Sequence, residues 1–303
     1  MKMTRREMMR FLAAAGATGF FTAPSRYRLA ICNETFQGMM FADTCKTAKS
    51  AGFSGLEIAP FTLSDDPAAT TRSRRSELRW TMQSEDIEYV GLHALLTAPQ
   101  GLHVTTTDEA VRRRSWEYLR RLIDLSADLA TAPKSSVMIF GSGRQRAAID
   151  GVSVPDAVKR FQEGLAELAP FAASQRVKIL IEPLAPQFTN VINTLAQAVA
   201  LVDEINSPAV RTMFDTHNTV AEKINHGELI KKYRAYIEHI HLNEMDGRHP
   251  GTGSYDFQIV LQALKEIVYS RWVSIEVFEF ALGGEKIAHD SISFIRHLEG
   301  KLK

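Results

Sequence analysis

Val177-Lys-Ile-Leu-Ile-Glu-Pro183, the helical stretch Thr194–Ile205 (TLAQAVALVDEI) and Val210-Arg-Thr-Met-Phe-Asp215 follow one another closely in the sequence. The outer two segments are short apolar runs, as strands buried on both faces are, and the middle one carries a helical pattern. The unit recurs in both directions. Further runs of the same kind are Arg28–Asn33 (RLAICN), Gly55–Ala59 (GLEIA), Tyr89–Leu95 (YVGLHAL), Ser136–Gly141 (SVMIFG), Ile237–Asn243 (IEHIHLN) and Val273–Phe278 (VSIEVF). Helical segments lie between them. Thr107–Leu129 sets Val111, Trp116, Leu119, Leu122, Ile123 and Leu125 among charged residues, and Pro155–Ala173 opens on a proline suited to a first turn. Asp256–Tyr269 repeats the pattern, and Asp43–Ala51 stops at Gly52, a helix-ending residue. Eight strand–helix units in series predict a single-domain (β/α)8 barrel over residues 27–303. Its active site is expected at the C-terminal ends of the strands.

Composition agrees. Of 303 residues, 45% are hydrophobic and 23% charged, with 36 basic against 35 acidic side chains and a net charge of +1. That balance offers no basic face for nucleic acid or an anionic membrane. Arg112-Arg113-Arg114 reads as a solvated helix face. Cys32 and Cys45 lack metal-ligand spacing and read as small buried apolar residues. Residues 1–24 differ from the rest. Arg5-Arg6 precedes the short apolar run from Phe11 to Pro24, too short to span a bilayer. A charged start, an apolar stretch and small residues make a twin-arginine-type export signal, so a periplasmic location is expected, with a cytoplasmic one as the alternative. No other stretch is long and apolar enough for a membrane span.

The late strands end in chemistry-bearing residues. Glu182 ends the fifth run, Asp215 the sixth, His241 lies near the end of the seventh and Glu276 in the eighth. Their separations of 33, 26 and 35 residues each match about one strand–helix unit. One donor per strand therefore faces a common mouth. Three carboxylates gathered there repel one another and are costly to bury unless a cation joins them. Three oxygen donors and one imidazole suit Mn2+ first, with Mg2+, Co2+ or Zn2+ also fitting.

Ile-Glu-Pro-Leu (181–184), Phe-Asp-Thr-His-Asn (214–218), His-Ile-His-Leu-Asn-Glu (239–244), Pro-Gly-Thr-Gly (250–253) and Ser-Ile-Glu (274–276) resemble the sugar phosphate isomerase/epimerase family. Its members have xylose isomerase-like barrels, and the nearest types are the D-tagatose 3-epimerases and hydroxypyruvate isomerases. The resemblance implies that Glu182, Asp215, His241 and Glu276 hold one divalent metal. It implies that Glu182 and Glu276 also take and return a proton beside a carbonyl, through a metal-stabilised enediolate. A carbohydrate substrate and a homodimer or homotetramer follow from the same likeness. Two bases on opposite faces give epimerisation, and one base gives aldose–ketose isomerisation.

Departures bear on the substrate. His217 stands one residue nearer the strand-six Asp than the family's substrate-holding His. Arg248 comes one residue later than the family's Arg, and Phe188 stands where the 3-epimerases have a Glu. His217 and Arg248 remain candidates for substrate contact, as do His93 at the end of the third run and Glu57 in the second. Of His239 and His241, which share a strand face, His241 is the candidate ligand. A lyase or dehydratase acting on a keto-sugar or 3-keto-glycoside would begin with the same proton abstraction. A DNA-repair nuclease of this barrel type would need more metal ligands and a basic groove. A sugar-binding protein without catalysis would have no use for the pair Glu182 and Glu276.

Overall fold

The computed structural model describes residues 26–131 and 135–302, so the expected export signal lies outside the described residues. Eight strands form a closed parallel barrel in chain order. They are β1 (Arg28–Cys32), β2 (Gly55–Ile58), β3 (Glu88–Leu92), β4 (Ser136–Phe140), β5 (Val177–Ile181), β6 (Val210–Asp215), β7 (Ile237–Leu242) and β8 (Trp272–Ile275). Closure runs through β1 and β8, with Ala30 opposite Ser274 and Ile31 opposite Ile275. Every strand expected from sequence is present. β3 and β8 stop short of their apolar runs, so His93 and Glu276 fall just past the strand ends.

The main outer helices are α1 (Phe41–Ala51), α2 (Arg72–Ser84), α3 (Glu109–Leu129), then after the short α4 (Gly143–Arg146) come α5 (Val154–Ser174), α6 (Leu195–Ile205), α7 (His226–Lys232), α8 (Phe257–Glu266) and α9 (Gly284–Glu299). Their starts are fixed chemically. Asp108, Ser153 and Asp256 accept backbone N–H bonds at the first turns of α3, α5 and α8. Thr194 and Gln197 form a reciprocal capping box on α6. α1 ends at Gly52, whose φ of 108° is a left-handed cap that a side chain would strain. Among the described residues, no helix is long and apolar enough to cross a membrane.

Strand alternation decides what faces the site. On β5, Val177, Ile179 and Ile181 join the large core between sheet and helices, whereas Leu180 belongs to a separate small cluster with Ile139 and Met213. That cluster occupies the barrel interior. Glu182 continues the inward row of Leu180, and Asp215 that of Met213. By the same alternation Cys32, Glu57, His93, His239, His241, Ser274 and Glu276 sit on inward rows, since Ile31, Leu56, Leu92, Ile240, Val273 and Ile275 belong to the outer core. Burial of that outer layer drives folding, and the inward row is left for polar groups at the mouth.

Candidate active site

Four inward side chains from β5 to β8 converge. Glu182, Asp215, His241 and Glu276 are all buried, and one donor atom from each lies within 4.8 Å of the others. Asp215 is held by the loop that follows it. The peptide N–H of His217 donates to its Oδ1 at 2.8 Å, and Asn218 Nδ2 donates to its Oδ2. The same Asn218 amide reaches Glu182 Oε1 at 3.2 Å, tying the ends of β5 and β6 together. Glu276 Oε2 lies 3.1 Å from His241 Nδ1.

Burial is the first cause, and the charges of Glu276 and Asp215 the next, that hold the Glu182 carboxyl well above the usual carboxylate range. A carboxyl pushed toward its neutral form by burial and like charge is one that a cation would restore to the anion: a divalent ion among these donors would compensate both the burial and the repulsion. The donor set of three carboxylates and one imidazole suits Mn2+, Mg2+, Co2+ or Zn2+.

Beneath them lies a second tier. Glu57 is fully buried. Its Oε1 lies 3.0 Å from His241 Nε2, and its Oε2 accepts from Ser274 Oγ at 2.8 Å and lies 2.8 Å from His239 Nε2. Burial alone would raise the Glu57 carboxyl, but His241 and His239 outweigh it and hold the group well below its ordinary value. Burial would also lower His241, yet Glu57 and Glu276 on its two sides raise it well above the usual imidazole range. Glu57 thus sits under the ligand group rather than on a surface a sugar could touch. His239 lies deeper than His241, and burial keeps it below the ordinary imidazole value. His93 is placed beside this tier, with Nδ1 3.1 Å from Glu57 Oε1 and Nε2 2.6 Å from Glu34 Oε1.

His217 reaches the rim of the same mouth. Its ring Nδ1 lies 3.1 Å from the Glu244 carbonyl, a loop hydrogen bond. The ring stands between Phe188 and Phe278, with centroids at 5.7 and 5.1 Å. Both phenyl rings are exposed. Arg248 does not join the group. Its half-exposed guanidinium pairs with Asp246 at 2.7 Å, two residues away on the same turn. The one-residue offset of Arg248 leaves its nearest carboxylate on its own loop.

Several contributors were not singled out from sequence. Gly141 follows β4, and a Cβ there would stand 1.9 Å from Glu182 Oε2. Only glycine leaves Glu182 its present path. Arg146, on α4 and fully buried, donates to the carbonyls of Phe140 and Glu182, each at 2.6 Å. It clamps the ends of β4 and β5. Burial lowers its guanidinium to about 10, despite the charge of Glu182. Asn218 lay within a quoted motif and could have been found there. Glu34 and Arg146 carry no comparable signal, because short helical turns after β1 and β4 bring them in.

The comparisons with known proteins bear on the fold and the family. The family model described as "Xylose isomerase-like TIM barrel" matches residues 45–298. An L-ribulose 3-epimerase of Methylomonas sp. is 25% identical over 197 residues, covering 65% of this chain and 68% of its own. A D-psicose 3-epimerase of Enterocloster bolteae is 30% identical over 249 residues, covering 78% of each chain. The solved structure of a 3-keto-D-glucoside 4-epimerase from E. coli superimposes with a TM-score of 0.76 at 18% identity, over 89% of this chain and 99% of that one.

Proposed function

Because the chain belongs to the xylose isomerase-like TIM barrel family and is an enzyme of the isomerase and epimerase class, we propose that it acts on a keto-sugar by moving the proton on a carbon beside the carbonyl. Glu182 and Glu276 carry the proton. One observation supports this above all: the two carboxylates stand three strands apart around the barrel, yet both belong to the cluster completed by Asp215 and His241. A sugar laid over that cluster has a carboxylate on either side. Removal by one and return by the other to the opposite face of the same carbon inverts it; return by the same group to the neighbouring carbonyl carbon, with the hydroxyl proton passing to the old carbonyl oxygen, moves the carbonyl instead.

Glu182, Asp215, His241 and Glu276 would hold a divalent cation, Mn2+ foremost, which when bound supplies a Lewis acid for the oxygen that gains charge. Asn218 bridges Glu182 and Asp215 and keeps both in place. His217, anchored through its peptide N–H and its Nδ1, forms a firm wall at the rim.

The test is proton exchange. The Mn2+-loaded chain is incubated in D2O with a panel of ketoses and keto-glycosides, and each is followed by NMR. Deuterium beside the carbonyl with otherwise unchanged mass, lost in Glu276→Gln, is the expected result. No exchange on any substrate with metal bound would sink the proposal. Elimination is the second reading, and the exposed Phe188 and Phe278 favour it, since they offer apolar surface beyond what a bare ketose needs. Exchange with loss of water or an aglycone would select it.

A further inference from the structure

Glu276 faces two groups, not one. Its Oε2 lies 3.1 Å from His241 Nδ1, while its Oε1 lies 3.9 Å from His93 Nε2. On the His93 side stand Cys32, the last residue of β1, and Glu34 in the 3-10 turn Asn33–Phe36. One donor atom from each of Cys32, Glu34, His93 and Glu276 lies within 4.8 Å of the others. We propose that these four residues form a second divalent-cation site, adjoining the first and sharing Glu276 with it.

Three observations carry this. The first is the donor set. A thiolate, an imidazole and two carboxylates suit a borderline-soft ion such as Zn2+ or Co2+, unlike the oxygen-rich first group. The second is an unsatisfied group: Glu34 Oε2 is buried with no hydrogen-bond partner among the described residues, which is costly unless something binds it. The third is the support behind His93. With Nε2 toward the other donors, Nδ1 stands 3.1 Å from Glu57 Oε1, a close charge contact without hydrogen-bond geometry, so the carboxylate steadies the imidazole electrostatically from behind. Glu57 would then back both ligating histidines, His93 and His241. On binding, the Cys32 thiol releases its proton to solvent. The sharing of Glu276 rests on the proposed role of the first group; the site around Cys32 does not.

The probe is Co2+, because thiolate ligation gives a near-ultraviolet charge-transfer band that oxygen and nitrogen ligands do not. The metal-stripped full chain is titrated with Co2+ under reducing conditions, with bound metal and absorbance both recorded. Two equivalents and the band are expected. Cys32→Ser should remove the band and one equivalent, Cys45→Ser should keep both, and Asp215→Asn should lose an equivalent yet keep the band. One equivalent without a band overturns the proposal, as does a band that survives Cys32→Ser. A single equivalent whose band vanishes in Cys32→Ser upholds this site and breaks the reading of the first group instead. Should Cys32→Ser fail to fold, Glu34→Gln replaces it, its side chain being 11% exposed. That change should weaken the Co2+ dependence of the band roughly tenfold or more, and unchanged binding would count against the site.

Discussion

The inward positions of β4, β5 and β6 are Ile139, Leu180 and Met213, a buried apolar cluster backed by Val137. Those of β2, β7 and β8 are Glu57, His239 and Ser274, all fully buried. The two sides fill one barrel in opposite ways. On the apolar side packing needs only shape, and polarity begins at the mouth with Glu182 and Asp215. On the polar side each group needs a partner, since breaking a buried ion pair costs about 3–5 kcal/mol. The difference shows in how the four candidate ligands are aimed. His241 is oriented from beneath, by Glu57. Glu182 and Asp215 have only apolar side chains beneath them, Leu180 and Met213, and are aimed from the flank, by Asn218, Gly141 and Arg146.

The sharpest way to break this picture is to remove a proton carrier. Glu276→Gln should lower kcat by about 10^2–10^4-fold, the usual worth of a positioned acid or base. A near-normal kcat in the deuterium-exchange assay would remove Glu276 from the chemistry.

Gly141→Ala tests aiming from the flank. The added methyl displaces only the tip of Glu182, a flexible group, so the thermal midpoint should hold while kcat falls by up to about 10^2-fold, the cost of a misplacement near 1 Å. A fall in both together would make Gly141 a packing residue instead.

Glu57→Gln tests aiming from beneath. Loss of the charge under His241 should weaken Mn2+ binding about 10–100-fold, read by calorimetry, with the fold intact by circular dichroism. Unchanged affinity would mean that the lower tier serves only the stability of the barrel.

Arg248→Ala should do least. An exposed pair with Asp246 is screened by solvent and worth little, and the guanidinium is engaged on its own turn rather than in the cluster. A large rise in KM would show that the loop turns inward when substrate binds.

Much of the site was legible because its residues end strands. Glu182, Asp215, His241 and Glu276 each interrupt or close an apolar run, where a charge has no packing use. Glu57 and His93 interrupt apolar runs too, but sequence could not tell a sugar contact from a support beneath the ligands. That depended on depth in the barrel, which follows from strand register and stagger. Arg248 differs for another reason: motif position placed it near the mouth, while in the structure its own loop supplies the carboxylate it pairs with. Arg146 and Glu34 lie in single helical turns too short to show a periodicity that would expose them.

By itself the sequence determined the eight strands, their parallel order and which late residues share a mouth, because apolar periodicity and unit spacing are local properties of the chain. Only the tertiary structure decided that Glu57 lies fully buried against His241 and His239, that Gly141 makes room for Glu182, and that Cys32 and Glu34 stand beside His93 and Glu276. Those relations join residues from distant strands, and closing β8 against β1 is what brings them within reach.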